Sequence, residues 1–167
     1  MVGSAIYSEL SKKGFTNIIT ARKSELQLTN FSSVNKFINF HKPEIIINAA
    51  GLVGGIMENI RIPAELMIKN MSIQNNVIIS ASNINIEKLF FFGSSCMYPK
   101  KSRNPIGEKA LYSGLLEETS KPYAIAKLAG TELCLSLNKQ NNNTKFIPLI
   151  PATVYGPNDN FDIQKGH

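Results

Sequence analysis

Cysteine is scarce in this sequence, and so are charge and long apolar runs. Two cysteines, Cys96 and Cys134, cannot form the framework that staples a small secreted domain. Their scarcity points to a reducing, cytoplasmic setting. No apolar run approaches the roughly 18 residues that span a bilayer, so no membrane partner is expected. The opening Met1-Val2-Gly3-Ser4-Ala5-Ile6-Tyr7 has no basic stretch followed by an apolar core, and no signal peptide is expected. Charged residues make up only 18% and hydrophobic residues 43%, a balance that excludes a disordered tail. The net charge of +6 is spread over pairs and triplets such as Lys12-Lys13, Arg22-Lys23 and Lys100-Lys101 with Arg103. These form no basic stripe with interleaved aromatics, so no nucleic-acid partner is expected. A solvated surface is the simpler reading of the charge, and a site for a small anionic ligand is the other one the motifs favour.

What is present fits one domain of ordinary size in 167 residues. Residues 3–13 read as a helix, with Ile6 and Leu10 four apart and Gly14 as its stop. Asn17–Thr20 reads as a short strand, and Leu26–Leu28 as a very short one near an edge. Residues 31–41 place Phe31, Val34, Phe37 and Ile38 on one helical face before Pro43. Glu44–Asn48 and Lys88–Phe92, with the apolar runs Ile45–Ile47 and Leu89–Phe92 inside them, are expected as parallel strands buried on both faces. Residues 63–83 and 122–140 read as long helices, Asn138–Thr144 as a polar loop, and Lys145–Ile150 as a last strand. Alternating strands and helices of this kind predict an α/β fold with a parallel sheet.

Tyr123-Ala-Ile-Ala-Lys127 is the sharpest local signal. Residues four apart share a helix face, and an ammonium beside a phenol favours its phenolate. A tyrosine tuned in this way can move a proton at a carbonyl oxygen. Alone, that spacing occurs on any helix. Two strand ends add to it: Leu89–Phe92 runs into Gly93-Ser94-Ser95-Cys96-Met97-Tyr98-Pro99, and Glu44–Asn48 runs into Ala49-Ala50-Gly51. Ligands of parallel sheets sit at the carboxyl ends of strands. Ser94 and Ser95 also suit a capped turn, and Cys96 a packed thiol.

With those motifs, and with Val154-Tyr-Gly-Pro-Asn-Asp-Asn-Phe161, nearly the whole chain resembles the extended short-chain dehydrogenase/reductases, most of all their GDP-L-fucose synthase branch. The resemblance implies a Rossmann-like, doubly wound parallel sheet, NADP(H) as cofactor and a GDP-sugar as substrate. It implies epimerisation and NADPH-dependent reduction at C4 of GDP-4-keto-6-deoxy-D-mannose. Ser94 would then hydrogen-bond the keto oxygen, Tyr123 would donate the proton, and Lys127 would lower the Tyr123 pKa and hold the nicotinamide ribose. Cys96 would be the epimerisation base and His167 its acid partner. On the cofactor side the resemblance implies Gly3, Arg22 and Lys23, with the two cations suited to a 2′-phosphate or equally to a solvated loop. It also implies Asn48, Ala49, Ala50 and Gly51 beside the adenosine and pyrophosphate, and Pro151, Thr153 and Val154 beside the nicotinamide. Asn70 matches a helix position that supports the site in that family, or is simply a polar helix residue. No metal is implied.

The same comparison of motifs yields further expectations. Met1-Val2-Gly3 matches only the tail of the family's glycine-rich turn, so the sheet is expected to lack its first strand, and the chain its C-terminal substrate domain. Residues 1–167 are expected to be a partial dinucleotide-binding domain, inactive alone, whose full-length form is a homodimer through helices 63–83 and 122–140. Thr153 stands where the family usually has Asn, and Pro148 removes a donor from a strand. Another nucleotide-sugar epimerase, dehydratase or reductase of the same superfamily, and a non-enzymatic remnant, are the alternatives.

Overall fold

The computed structural model describes residues 1–140, 143–159 and 161. Along the chain run α1 (Val2–Lys12), α2 (Phe31–His41), β1 (Ile45–Asn48), α3 (Ile56–Arg61), α4 (Pro63–Asn83), β2 (Lys88–Phe92), α5 (Lys121–Gln140) and β3 (Lys145–Leu149). The strands form a parallel sheet in the order β1-β2-β3, with Ile46 beside Leu89 and Leu89 beside Phe146. This is the α/β, Rossmann-like parallel architecture expected from the sequence.

Local chemistry explains several element ends. Gly14, at φ +85°, closes α1. The Phe15 N–H donates to Leu10 and the Gly14 N–H to Ser11, the paired bonds of a left-handed helix stop. The Asn30 side chain caps α2 by accepting from the Ser33 N–H at 2.9 Å. Pro63 begins α4 where its missing N–H costs nothing. Asn138 near the end of α5 donates to the Phe146 carbonyl at 2.7 Å and accepts its N–H at 2.8 Å, which ties the start of β3 to the helix.

The core lies on one face of the sheet. Leu89 and Phe91 from β2 and Phe146 from β3 meet Val34 and Ile38 of α2, Val77, Ile78 and Ala81 of α4, and Cys134 of α5. The buried positions of α4 include Leu66, Asn70, Gln74, Val77, Ile78 and Ala81, a helical stripe in which two amides interrupt the apolar pattern.

Three expectations are corrected. Residues 17–20 form no strand, and residues 26–28 form none either. The chain at 22–30 instead folds into successive turns, with the Leu26 N–H donating to Arg22 and the Asn30 N–H to Gln27, and Ile19 stays exposed. A strand needs a ladder partner, and among the described residues nothing pairs with the outer edge of β1 or with residues 17–20. β1 is not buried on both faces: Ile45 is 47% and Ile47 37% exposed. Both point away from the face that α2, α4 and α5 cover. A short helix, α3, follows the glycine turn after β1. Pro148 falls in β3, an edge strand of this sheet, where a missing donor is tolerated.

Candidate active site

Helix α5 presents Tyr123 and Lys127 one turn apart on its buried side, at 9% and 6% exposure. The end of β2 brings the serine turn to the same place. There Ser94 caps a single 3-10 turn, Ser95–Met97, and its hydroxyl accepts from the Cys96 N–H at 3.3 Å. Met97 is fully buried beneath this turn, and the Thr131 hydroxyl of α5 lies 3.8 Å from its sulfur. Gly93 makes that seating feasible, since a Cβ there would meet the Met97 sulfur at 3.0 Å. Ser94 and Cys96 are thereby held against the helix that carries Tyr123 and Lys127.

The electrostatics follow from burial. The Tyr123 phenol is pushed up to about 12, first by burial and then by electrostatic repulsion from the nearby Cys96, while a hydrogen bond with the Ser94 hydroxyl pulls it down. Burial lowers the Lys127 ammonium to about 8. Lys127 donates to the Phe92 carbonyl at 2.9 Å and lies 5.0 Å from the Phe91 ring centroid and 5.9 Å from that of Tyr123. The family resemblance implies that Lys127 lowers the Tyr123 pKa. In this structure the phenol is raised instead, with burial as the leading cause, and the Lys127 ammonium spends its hydrogen bond on the Phe92 carbonyl. The outcome suits a proton donor, since Tyr123 holds its proton at neutral pH.

The loop after β1 closes the site from the other side. Asn70 of α4, buried, accepts from the Leu52 N–H at 3.1 Å and donates to the carbonyls of Leu52 and Leu66. A Cβ on Gly51 would lie 2.9 Å from Asn70 Oδ1, so glycine is needed for the loop to close on Asn70, and 3.6 Å from Lys127 Nζ, which places the loop beside the lysine. Asn48, at the end of β1, is buried. Its Oδ1 accepts from the Ala50 N–H at 3.3 Å, and its Nδ2 has no partner among the described residues. A Cβ on Gly3 would lie 3.6 Å from Ala49, which sets the start of α1 beside the same loop.

The structure therefore brings Ser94, Cys96, Tyr123, Lys127, Asn70, Asn48 to Gly51 and Gly3 to one end of the sheet. Pro151, Thr153 and Val154 leave β3 at that end, where the Gly93 N–H donates to the Leu149 carbonyl at 2.8 Å. Arg22 and Lys23 are exposed in the turn region before α2. His167 lies outside the described residues. Sequence reasoning missed Asn59 of α3, whose amide donates to the Gly54 and Gly55 carbonyls at 2.8 and 3.0 Å and fixes the glycine turn after β1. An amide four or five residues past a glycine pair is the only signal that could have suggested it. Among the described residues no group of three metal-ligating side chains could hold an ion.

Residues 1–167 match the NAD dependent epimerase/dehydratase family. The chain belongs to that family. A GDP-L-fucose synthase of Sinorhizobium fredii is 43% identical over all 167 residues, which make up 52% of its length. GDP-L-fucose synthase 1 of Arabidopsis thaliana is 44% identical over the same 167 residues, 51% of its length. Among solved structures, a GDP-D-glycero-L-gluco-heptose synthase from Campylobacter jejuni, determined in the presence of NADPH, superposes with a TM-score of 0.92 at 39% identity. That match covers 99% of this chain and 48% of the other. The chain thus spans about half the length of the curated epimerase/dehydratase relatives it matches.

Proposed function

We propose that the chain is the cofactor-side portion, a partial dinucleotide-binding domain over residues 1–167, of an NADPH-dependent GDP-sugar epimerase/reductase. The reaction we assign to the whole protein is conversion of GDP-4-keto-6-deoxy-D-mannose to GDP-L-fucose. The observation that carries this reading is the buried Tyr123 and Lys127 pair, set against Ser94 and Cys96 at the end of β2 and facing the Gly51 turn.

The residues fit a dinucleotide. The Gly51 backbone is open to close approach, an ammonium lies beside it, and the Asn48 amide is buried with an unused donor. Gly3 and Asn48 to Gly51 would hold the adenosine and pyrophosphate, with Arg22 and Lys23 at the 2′-phosphate. Lys127, Pro151, Thr153 and Val154 would hold the nicotinamide end. When bound, the cofactor supplies the hydride for C4.

The chain's own groups do the proton work. Protons beside a ketone are acidic enough for a positioned base to remove, and Cys96 is that base, with His167 returning a proton from the opposite face. The Ser94 hydroxyl hydrogen-bonds the C4 oxygen. Tyr123, protonated at neutral pH, gives its phenolic proton to that oxygen as the carbonyl is reduced, and the Lys127 ammonium steadies the phenolate left behind. The Tyr123 side chain is thus the acid and the ketone oxygen the base.

The partner is a small GDP-sugar, with no nucleic acid or membrane surface in the scheme and a cytoplasmic setting for both free cysteines. Among the described residues no helix is long and apolar enough to cross a membrane. For the full-length protein we include a homodimer through the outer faces of α4 and α5, where Ile68, Ile79, Ile125 and Leu135 are exposed. Sedimentation of that protein as a monomer would remove this part.

The test offers the keto-sugar to the protein that carries this chain and follows NADPH absorbance. Turnover is expected, with Tyr123→Phe slowing it by roughly 100-fold or more, the usual worth of a positioned acid. A wild-type protein that oxidises no NADPH with this sugar refutes the assignment. The resemblance to a heptose synthase of 39% identity favours a second reading, a reductase of GDP-heptoses. Faster turnover of a GDP-4-keto-heptose than of the deoxy sugar would select it.

A further inference from the structure

The α4–α5 interface contains a buried amide that the proton chemistry above does not use. Gln74 of α4 is 2% exposed. Its Nε2 donates to the Ala126 carbonyl at 2.6 Å, and its Oε1 has no partner among the described residues. An apolar side chain of the same size would fill this space without burying an unused acceptor, which carries a desolvation cost. The amide is therefore a poor choice for packing alone.

Its target is the carbonyl immediately before Lys127. One helical turn further on, Gly130 makes room for the contact, because a Cβ there would lie 2.6 Å from Phe91 Cζ and 2.7 Å from Gln74 Cδ. The Phe91 ring in turn lies 5.0 Å from the Lys127 ammonium. Gln74, Gly130, Phe91 and Lys127 thus make one contiguous cluster. One turn earlier on the same face of α4, Asn70 grips Leu52 in the loop that places Gly51 beside Lys127. Two amides a turn apart on one helix hold the two sides of the site, Asn70 the loop and Gln74 the lysine helix.

We infer that Gln74 is a positioning residue, whose amide fixes where α5 sits along α4 and so aims Lys127 at the Gly51 turn and the Phe92 carbonyl. It acts through Ala126 and Phe91. The inference rests on the proposed role of Lys127 and deepens it, by naming the group that places that lysine.

The test reads Lys127 directly in the ligand-free chain, by pH titration of carbon-13-labelled lysine side chains, with Lys127→Arg to assign the signal. Gln74→Met keeps the volume and removes the donor. With α5 released, the ammonium regains water, and its apparent pKa is expected to rise by about one unit toward the ordinary lysine value of ~10.4. Affinity of the whole protein for NADPH, measured by nucleotide fluorescence, is expected to weaken as the Lys127 ammonium moves off the Gly51 turn. A role in packing alone would lower the melting temperature and leave the Lys127 titration where it was. A folded Gln74→Met chain with wild-type Lys127 titration overturns the inference. If Gln74→Met does not fold, Gln74→Leu is read in the same way, and failure of both to fold assigns the residue to the core and also overturns it. A whole protein that binds no NADPH would count against the proposed function while leaving the Lys127 titration to decide this inference.

Discussion

Lys127 is the residue at which stability and proposed chemistry pull in opposite directions. Its ammonium is buried and depressed from 10.5 to about 8, so the fold bears a desolvation cost at neutral pH. A shift of that size corresponds to ~3 kcal/mol at about 1.4 kcal/mol per unit, and the lost Phe92 hydrogen bond offsets about 1 kcal/mol of it. Lys127→Met is therefore expected to stabilise the chain by roughly 2 kcal/mol at pH 7, read from urea unfolding midpoints. The sign of the pH dependence follows. Between about 8 and 10.5 the unfolded chain holds the Lys127 proton that the folded chain has released, so this group makes the wild type gain stability as pH rises. The advantage of the methionine variant should shrink across that window. An advantage that is constant with pH would show that Lys127 is not desolvated. The Cys134 thiol, which burial pushes up to about 12, works the other way above its ordinary value, so the comparison must be variant against wild type at each pH.

Asn70 behaves differently, because its bonds are all satisfied. Its amide makes one bond to the Leu52 N–H and donates to Leu52 and Leu66, and it is 1% exposed. Asn70→Ala strands the Leu52 groups and opens a small cavity, at a cost of about 2–3 kcal/mol in unfolding free energy. Asn70→Asp keeps the acceptor for Leu52 N–H but loses both donors. It is expected to be no less damaging, since a buried carboxylate would then face two carbonyls.

At the scale of elements, the long helices hold the site together through close approach. Gly130 is where α5 meets Phe91 and Gln74, and a Cβ there would fall 2.6 Å from a ring carbon. Gly130→Ala gains about 1 kcal/mol of helix propensity but forces two buried side chains to move, at a cost of typically 1–3 kcal/mol or more. A net fall in melting temperature is expected, and Gln74→Ala in the same chain should recover part of it. Additive losses in the double variant would place the clash elsewhere. The reach of the sequence follows the same boundary between local and tertiary information. α2 and α4 were legible because Val34 and Ile38, or Leu66 and Val77, repeat at helical spacing, and β2 because Leu89–Phe92 is a continuous apolar run. Residues 17–20 have strand composition, yet a strand exists only with a neighbour to share its hydrogen bonds. The site divides in the same way. Ser94, Cys96, Tyr123 and Lys127 were legible as motifs, whereas Gln74 and Asn59 were not, because a lone amide in a helix reveals nothing until its target carbonyl is placed. The direction of the Tyr123 shift was misread for a related reason: spacing gives the neighbour, and only packing gives the burial.

At the scale of the whole molecule, the sheet is covered unequally. Leu89, Phe91 and Phe146 are sealed beneath α2, α4 and α5, while Ile45, Ile47 and Leu149 on the opposite face are 37–47% exposed. β1 also has an outer edge with no ladder partner among the described residues. An open edge next to an apolar face is the arrangement that pairs with other chains, because it offers unmet backbone donors and acceptors together with surface that gains from leaving water. The chain alone is therefore expected to self-associate as its concentration rises, with light scattering growing well before the helical signal is lost. Ile47→Lys tests the cause. It puts a charge on the bare face beside the open edge, where the side chain reaches solvent, and leaves the Ile46–Leu89–Phe146 row of the core unchanged. Scattering should fall while the unfolding midpoint stays within about 0.5 kcal/mol of wild type, the usual range for exposed positions. If Ile47→Lys scatters as much as wild type, the association runs through another surface, and the outer faces of α4 and α5 with Ile68 and Ile125 are the next to receive a charge.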